Sequence, residues 1–342
     1  MLPLTEIAAL RTTVDDEWRS PVADAVGRAW DIPAGGLRYW RSSAAHVFVV
    51  PPGGDARGVL YARFAPAGSA SGARLQRGSQ LHDRLHDAGA PVAELVRSRA
   101  GRAVELVQTP LGEMAACVVR RVNGEELDVD GLDAGAAAAW GAALAEFHQA
   151  AGRVQPGRQE QADVFDRLVS HSDQDLADQH LADQELADAA QALNRLDKRL
   201  EPGPLVMGHG DFELDNLRWS QGKATCFDLD ESGVMPAAAD VASAVRDLIG
   251  TCPGSPERPE LLEAFLAGYG RESGLTVDMG ELLLHRAALA AQRILEAATV
   301  LDADASLLEA IGNGWLKELN GSLAGYYANQ RDIVLAAARV LA

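Results

Sequence analysis

The sequence predicts an α+β fold of two lobes, a small β-rich lobe over residues 1–122 and a larger helical lobe over residues 123–342. Three observations predict it. Between residues 37 and 122, short runs of β character alternate with Gly, Pro and Ser clusters, the pattern of an antiparallel meander. Beyond Asn123 the chain becomes alanine-rich and helical in period. Within that second part, residues 207–230 (MGHGDFELDNLRWSQGKATCFDLD) gather a His-Gly-Asp, an Asn and a further Asp into one loop-and-hairpin segment.

Taken in order, residues 4–30 carry helical periodicity, closed by Asp31-Ile32-Pro33 and Gly35-Gly36. Residues 37–39, 46–50 and 58–64 read as strands separated by Ser42-Ser43-Ala44-Ala45 and Pro51-Pro52-Gly53-Gly54. Residues 76–88 form a helix with Leu81 and Leu85 toward the core, and residues 92–96, 103–108 and 115–122 complete the sheet. A helix over 134–150 follows. Residues 158–200 are polar and acidic and read as exposed helix, a solvated face or the border of a substrate cleft. The apolar run 205–207 enters the polar segment, and strands over 217–219 and 224–227 are joined by a Ser220-Gln221-Gly222-Lys223 turn. Helices over 237–249, 259–269, 278–298, 305–324 and 327–341 close the chain.

The spacing within 207–230 has a chemical reading. Phosphoryl transfer needs a carboxylate beside the attacking hydroxyl, and a side-chain amide and a second carboxylate to hold magnesium on the nucleotide phosphates. Asp211 suits the first role; Asn216, five residues on, and Asp228, twelve further, suit the others. The alternative is that both fragments are ordinary turn residues capping strands. Their joint occurrence at this separation argues against it.

At these residues the chain resembles the aminoglycoside phosphotransferase group, which includes choline kinases and type II homoserine kinases and is protein-kinase-like in fold. His209, Gly210, Asp211 and Asn216 match its HGDxxxxN motif, and Asp228 its later Asp. The resemblance implies that Asp211 is the catalytic base, that Asn216 and Asp228 bind the metal, and that His209 is structural. Asp230 falls on an acidic position that often follows the metal Asp. Glu213, Leu214 and Asp215 stand where relatives often have His, Pro and Gly, and the two added acids would either repel a further negative group or hold a cationic acceptor. Arg63 occupies the place of the strand lysine that grips the phosphates, a task a guanidinium performs with paired donors. Ser42 and Ser43 begin the small-residue turn over the phosphates, or a plain hairpin turn, and backbone groups from Val119 to Arg121 would meet the base. The helix Glu that normally pairs with the strand cation is missing: Gly78 stands at its place, so either another acid such as Asp83 orients Arg63 or the arginine needs no partner. His148 lies in a GxxLAxxH-like helix and reads as packing. Asp240 matches the family's anchor beneath the catalytic loop.

A formal charge of −18 and a pI near 4.8 would repel nucleic acid and anionic membranes, and fit a cationic small substrate or simple solubility. Cys117, Cys226 and Cys252 are widely spaced and odd in number, which suggests reduced thiols rather than a disulfide framework. With no signal-like N-terminus and no membrane-length apolar run, the expectation is a cytoplasmic protein.

The expected reaction takes ATP or GTP with Mg2+ and transfers the γ-phosphate to the hydroxyl of a small-molecule acceptor. An aminoglycoside- or nucleoside-type antibiotic is the leading acceptor, which would make the chain a resistance enzyme. A metabolic alcohol such as homoserine or choline comes next, then protein Ser or Thr. A catalytically silent nucleotide-binding regulator is the reading from another class; the presence of Asp211, Asn216 and Asp228 together opposes it.

Overall fold

The computed structural model describes residues 1–154, 164–172, 184–200, 203–250, 256–301 and 314–341. The N-terminal periodicity resolves into two helices, α1 (Leu4–Arg11) and α2 (Pro21–Gly27), because Ser20 and Pro21 restart the helix: Ser20 accepts from the Val22 amide and Pro21 takes the first helical position.

Five antiparallel strands follow in the order β1-β2-β3-β5-β4: β1 (Arg38–Ser42), β2 (His46–Val50), β3 (Leu60–Pro66), β4 (Val104–Thr109) and β5 (Gly112–Arg120). Strand alternation divides the sheet into two faces. Phe48, Leu60, Ala62, Phe64, Ala116 and Val118 pack with Leu10, Val22, Val26 and Trp30 of the N-terminal segment. On the other face Ala115, Cys117 and Val119 pack with Leu75 of α3 (Ala70–Asp87). Arg63 is paired with Cys117, so its side chain leaves the sheet on the α3 face.

Residues 92–96, expected as a strand, make only isolated bridges, Leu95 with Val119 and Val92 with Cys226. The segment is shared between two partners: the Ala93 amide donates to the Cys226 carbonyl and the Cys226 amide to that of Pro91. It thereby stitches the sheet to the hairpin that carries Asp228.

The helical part contains α4 (Ala134–Val154), α5 (Val164–Ser172), α6 (Gln184–Asp197), α7 (Ala237–Ala244), α8 (Arg246–Ile249), α9 (Pro259–Ser273), α10 (Met279–Leu301) and α11 (Gly314–Leu341). Two expectations change here. α6 is no solvated helix, since Leu186, Ala190 and Leu193 are buried with Leu284, Ile294, Ile333 and Val334 of α10 and α11. The helices expected over 305–324 and 327–341 are one helix from 314 onward, residues 302–313 lying outside the described residues. Among the described residues no helix is long and apolar enough to cross a membrane.

Candidate active site

Two small antiparallel pairs of strands frame the polar segment, the second of them a hairpin. β6 (Leu205–Gly208) pairs with β9 (Gly233–Pro236), and β7 (Leu217–Ser220) with β8 (Lys223–Cys226). Gln221 and Gly222 form the hairpin's two-residue turn, both with positive φ, as the strand twist favours. Leu217 faces Cys226, and the Phe227 amide donates to the Asn216 carbonyl at 3.1 Å. Asn216 and Asp228 therefore flank the open end of one hairpin.

The loop from His209 to Phe212 is fixed by its backbone. Asp240, wholly buried in the first turn of α7, accepts from the amides of His209 and Gly210, both at 2.7 Å. Ser243 donates to the Gly210 carbonyl at 2.7 Å and the Trp140 indole to that of Phe212 at 3.0 Å. Gly210 takes φ +80° here, a conformation that strains other residues. His148 Nε2 donates to Asp240 at 2.8 Å, and its Nδ1 meets the Tyr269 hydroxyl at 3.1 Å. Burial works to raise the Asp240 pKa, but the bonds from His148 and from the His209 amide hold it below the ordinary carboxylate value. Burial lowers the His209 pKa, and its Nε2 reaches the Phe227 carbonyl at 3.2 Å, tying the loop to the hairpin.

Both carboxylate oxygens of Asp211 are held. Asn216 Nδ2 donates to Oδ2 at 3.0 Å, and Arg246 Nη1 to Oδ1 at 2.7 Å. The other guanidinium nitrogen of Arg246 takes Glu213. Glu213 is thus neutralised rather than offered to a cationic acceptor, while Asp215 is exposed. Among the described residues, the Asn216 amide oxygen and Asp228 Oδ2 have no hydrogen-bond partner, while Asn216 Nδ2 and Asp228 Oδ1 are engaged. One neutral and one anionic oxygen suit a hard divalent cation whose other ligands come from phosphate and water. Among the described residues no group of three or more His, Cys, Asp or Glu side chains could hold a metal ion without such help.

Arg63 meets both carboxylates beyond the hairpin. Its Nη2 lies 2.7 Å from Asp228 Oδ1 and 2.8 Å from Asp230 Oδ2, and Nη1 lies 3.3 Å from Asp230 Oδ1. Asp230 is therefore the acid that orients the strand arginine. Asp83 instead pairs with Arg97 at 2.9 Å. Gly78 explains the missing helix Glu: a Cβ there would lie 2.3 Å from the Leu229 carbonyl oxygen, so α3 rests directly on the backbone that presents Asp230. Burial opposes the Arg63 charge, but the two Asp residues more than restore it and its pKa rises. Burial also works to raise Asp228, yet Arg63 and His209 bring it below its ordinary value. In Asp230, burial reinforced by the Asp228 charge overcomes Arg63, and the pKa is pushed up to about 6.

The remaining expected nucleotide contacts are less direct. Ser42 ends β1, where its hydroxyl bonds His46 Nδ1 at 2.8 Å, and the Ser43 amide donates to the Ala45 carbonyl. Val119 is buried in β5 and bridged to Leu95. The Arg121 amide is taken by the Val59 carbonyl at 3.0 Å, which removes it as a donor to a base. Sequence reasoning passed over Arg246, whose signal was a cation six residues after Asp240. It also passed over Arg41, an exposed cation on β1 near enough to help lower the Asp228 pKa and without an ion-pair partner among the described residues.

Two cavities open beside the loop from His209 to Asn216. One of about 330 Å³ is bordered by Gly210, Ser243, Glu231, His285 and Arg293. The other, about 470 Å³, is bordered by Glu213, Asp215, Arg246, Asp247 and Arg286. Arg246 thus connects the second cavity to Asp211.

A loop held by buried Asp240, Asp211 gripped between Asn216 and Arg246, and a strand arginine over Asp228 are the arrangement of a kinase-like phosphotransferase fold. The chain belongs to the Phosphotransferase enzyme family (APH), which matches residues 42–282. Solved structures agree in fold. Amicoumacin kinase hAmiN, in complex with AMP-PNP and Ca2+, shares 16% identity over 93% of this chain and 95% of its own, with a TM-score of 0.62. Spectinomycin phosphotransferase APH(9)-Ia, in complex with ADP and spectinomycin, shares 14% identity over 91% and 96%, with a TM-score of 0.60. A microcompartment-associated aminopropanol kinase shares 18% over 91% and 94%, with a TM-score of 0.59. No curated protein matches the sequence. The chain is a phosphotransferase acting on a hydroxyl group, and its family and fold are those of small-molecule kinases.

Proposed function

We propose that the chain transfers the γ-phosphoryl group of ATP or GTP to the hydroxyl of an antibiotic, between a lobe formed by residues 1–122 and one formed by residues 123–342. The observation that carries this reading is the Asp211 carboxylate held between Asn216 and Arg246, across one hairpin from Asp228. Asn216 and Asp228 would hold Mg2+, which neutralises charge on the phosphates. Arg63 and Arg41 meet the phosphates, with the turn at Ser42 and Ser43 above them. The acceptor hydroxyl donates its proton to Asp211 as its oxygen bonds to the γ-phosphorus. The bond from that phosphorus to the β–γ bridging oxygen breaks and the nucleoside diphosphate leaves. Asp211, already oriented by two donors, supplies alignment rather than a covalent intermediate. The amicoumacin and spectinomycin enzymes, similar along most of both chains, support the antibiotic as acceptor. A nucleotide donor and reduced cysteines fit the cytoplasm.

A metabolic alcohol is the second reading, supported by the likeness to an aminopropanol kinase and by a cavity carrying both charges. A coupled assay of nucleoside diphosphate release across antibiotics and simple alcohols separates the two, with Asp211→Ala as control. Stimulation by an antibiotic that the variant abolishes supports the first; stimulation by simple alcohols alone supports the second. Nucleotide binding without turnover on any acceptor would leave a silent regulator.

A further inference from the structure

Three arginines border the larger cavity, and two of them are spent: Arg246 holds Asp211 and Glu213, and Arg258 holds Asp130 at 2.6 Å. Arg286, on α10, has no hydrogen-bond or ion-pair partner among the described residues. It is only 6% exposed, and its Nε is buried without a hydrogen-bond partner. A guanidinium is the most strongly basic side chain and stays charged when buried. Unpaired, it pays the desolvation penalty of an ion without recovering it. Its charged neighbours do not cure this. Burial, and after it the like charge of Arg246, push the Arg286 pKa down to about 10, against smaller opposing influences of Tyr326 and then Asp247.

We propose that Arg286 is an acceptor-binding residue that reads a carboxylate, so that the alcohol phosphorylated here carries a single anionic group beside its hydroxyl. One unpaired guanidinium matches one negative charge. Exposed Asp128, Asp215, Asp247 and Glu257 border the same cavity without ion-pair partners among the described residues, so a dianion is repelled and a zwitterion is favoured. Arg246 spans from this cavity to Asp211, which places the carboxylate at one end of the acceptor and the hydroxyl at the other. The inference rests on the phosphotransfer reading and, within it, favours the second acceptor class, a small alcohol bearing a carboxylate, over an antibiotic that lacks one.

The test compares the full chain with Arg286→Met and Arg286→Lys, using glycerate, L-serine and L-threonine against their carboxamides, each with and without magnesium and AMP-PNP. In the absence of ligand, Arg286→Met should unfold at the same or a higher temperature than the parent, because an uncompensated buried charge has been removed. The carboxylate probes should raise the unfolding temperature of the parent more than their amides do. That difference should vanish in Arg286→Met and survive in part in Arg286→Lys. For a carboxylate acceptor that stimulates nucleoside diphosphate release, Arg286→Met should raise KM about 30-fold or more with kcat within about twofold. A clear loss of stability in ligand-free Arg286→Met would overturn the proposal, as would amides that equal the carboxylates on the parent protein or carboxylates that stabilise nothing. AMP-PNP should stabilise all three proteins. Failure of that shift in the parent would sink the phosphotransfer reading, while the carboxylate comparison would still decide the role of Arg286.

Discussion

Gly78 lies against Leu229 so closely that a Cβ would stand 2.3 Å from its carbonyl oxygen, and this approach sets Asp230 beneath Arg63. Gly78→Ala must push α3 off that backbone. It should cost about 1–3 kcal/mol, as overpacking does, and lower turnover with it. Gly78→Glu, although it restores the residue usual in the family, should be worse on both counts, since Asp230 already fills the acid's role. Denaturant midpoints and initial rates check this. A Gly78→Glu protein as active as the parent would refute the substitution of one acid for the other.

Asp230 also gives a pH signature. Its folded pKa is raised to about 6, so its contribution to stability is fully present below the unfolded value near 4 and is lost as pH rises through 6. Asp230→Asn carries no such proton. The stability of the parent relative to the variant should therefore fall by about 3 kcal/mol between those limits, measured by urea unfolding without nucleotide or metal. A difference that is flat or rising with pH contradicts the assignment.

Arg246 holds Asp211, the proposed base, at 2.7 Å. Arg246→Ala should reduce kcat about 100-fold, the scale of a misplaced reacting group, while leaving the KM for nucleotide close to that of the parent. A change confined to nucleotide KM would move Arg246 out of the acceptor side of the site.

Asp240 satisfies three donors from a fully buried position. Asp240→Ala leaves two backbone amides and a histidine without their acceptor and should cost about 3–5 kcal/mol. Hydrogen exchange should show the His209 and Gly210 amides losing protection first. Unchanged protection would mean that the loop is held by Ser243 and Trp140 alone.

What the sequence disclosed and what it hid follow from range. The hairpin bearing Asn216 and Asp228, the apolar entry strand and the five paired strands of the sheet are marked by alternation and turn residues, and they were legible; the run over 92–96 reads alike but is shared between two partners and makes only isolated bridges. So was the family to which HGDxxxxN points. The partner of Arg63 was not, because the two side chains lie 167 residues apart and Gly78 reads as a deficiency until Leu229 is seen against it. Arg246 and Arg286 sit on helices where a cation is ordinarily a solvated residue, and only packing shows one gripping Asp211 and the other buried without an anion. α6 was misjudged for the same reason: its acidic residues advertise solvent, while Leu186, Ala190 and Leu193 meet helices more than 90 residues away.

The most direct measurement is calorimetric titration of AMP-PNP, with and without magnesium, into the parent, Asp211→Asn and Asp228→Asn, alongside the turnover of each with ATP and acceptor. Asp211→Asn should bind the nucleotide in a magnesium-dependent manner like the parent yet release almost no product, and Asp228→Asn should lose the magnesium dependence. Retained turnover in Asp211→Asn, or unaltered magnesium dependence in Asp228→Asn, would contradict the assignment of base and metal ligand.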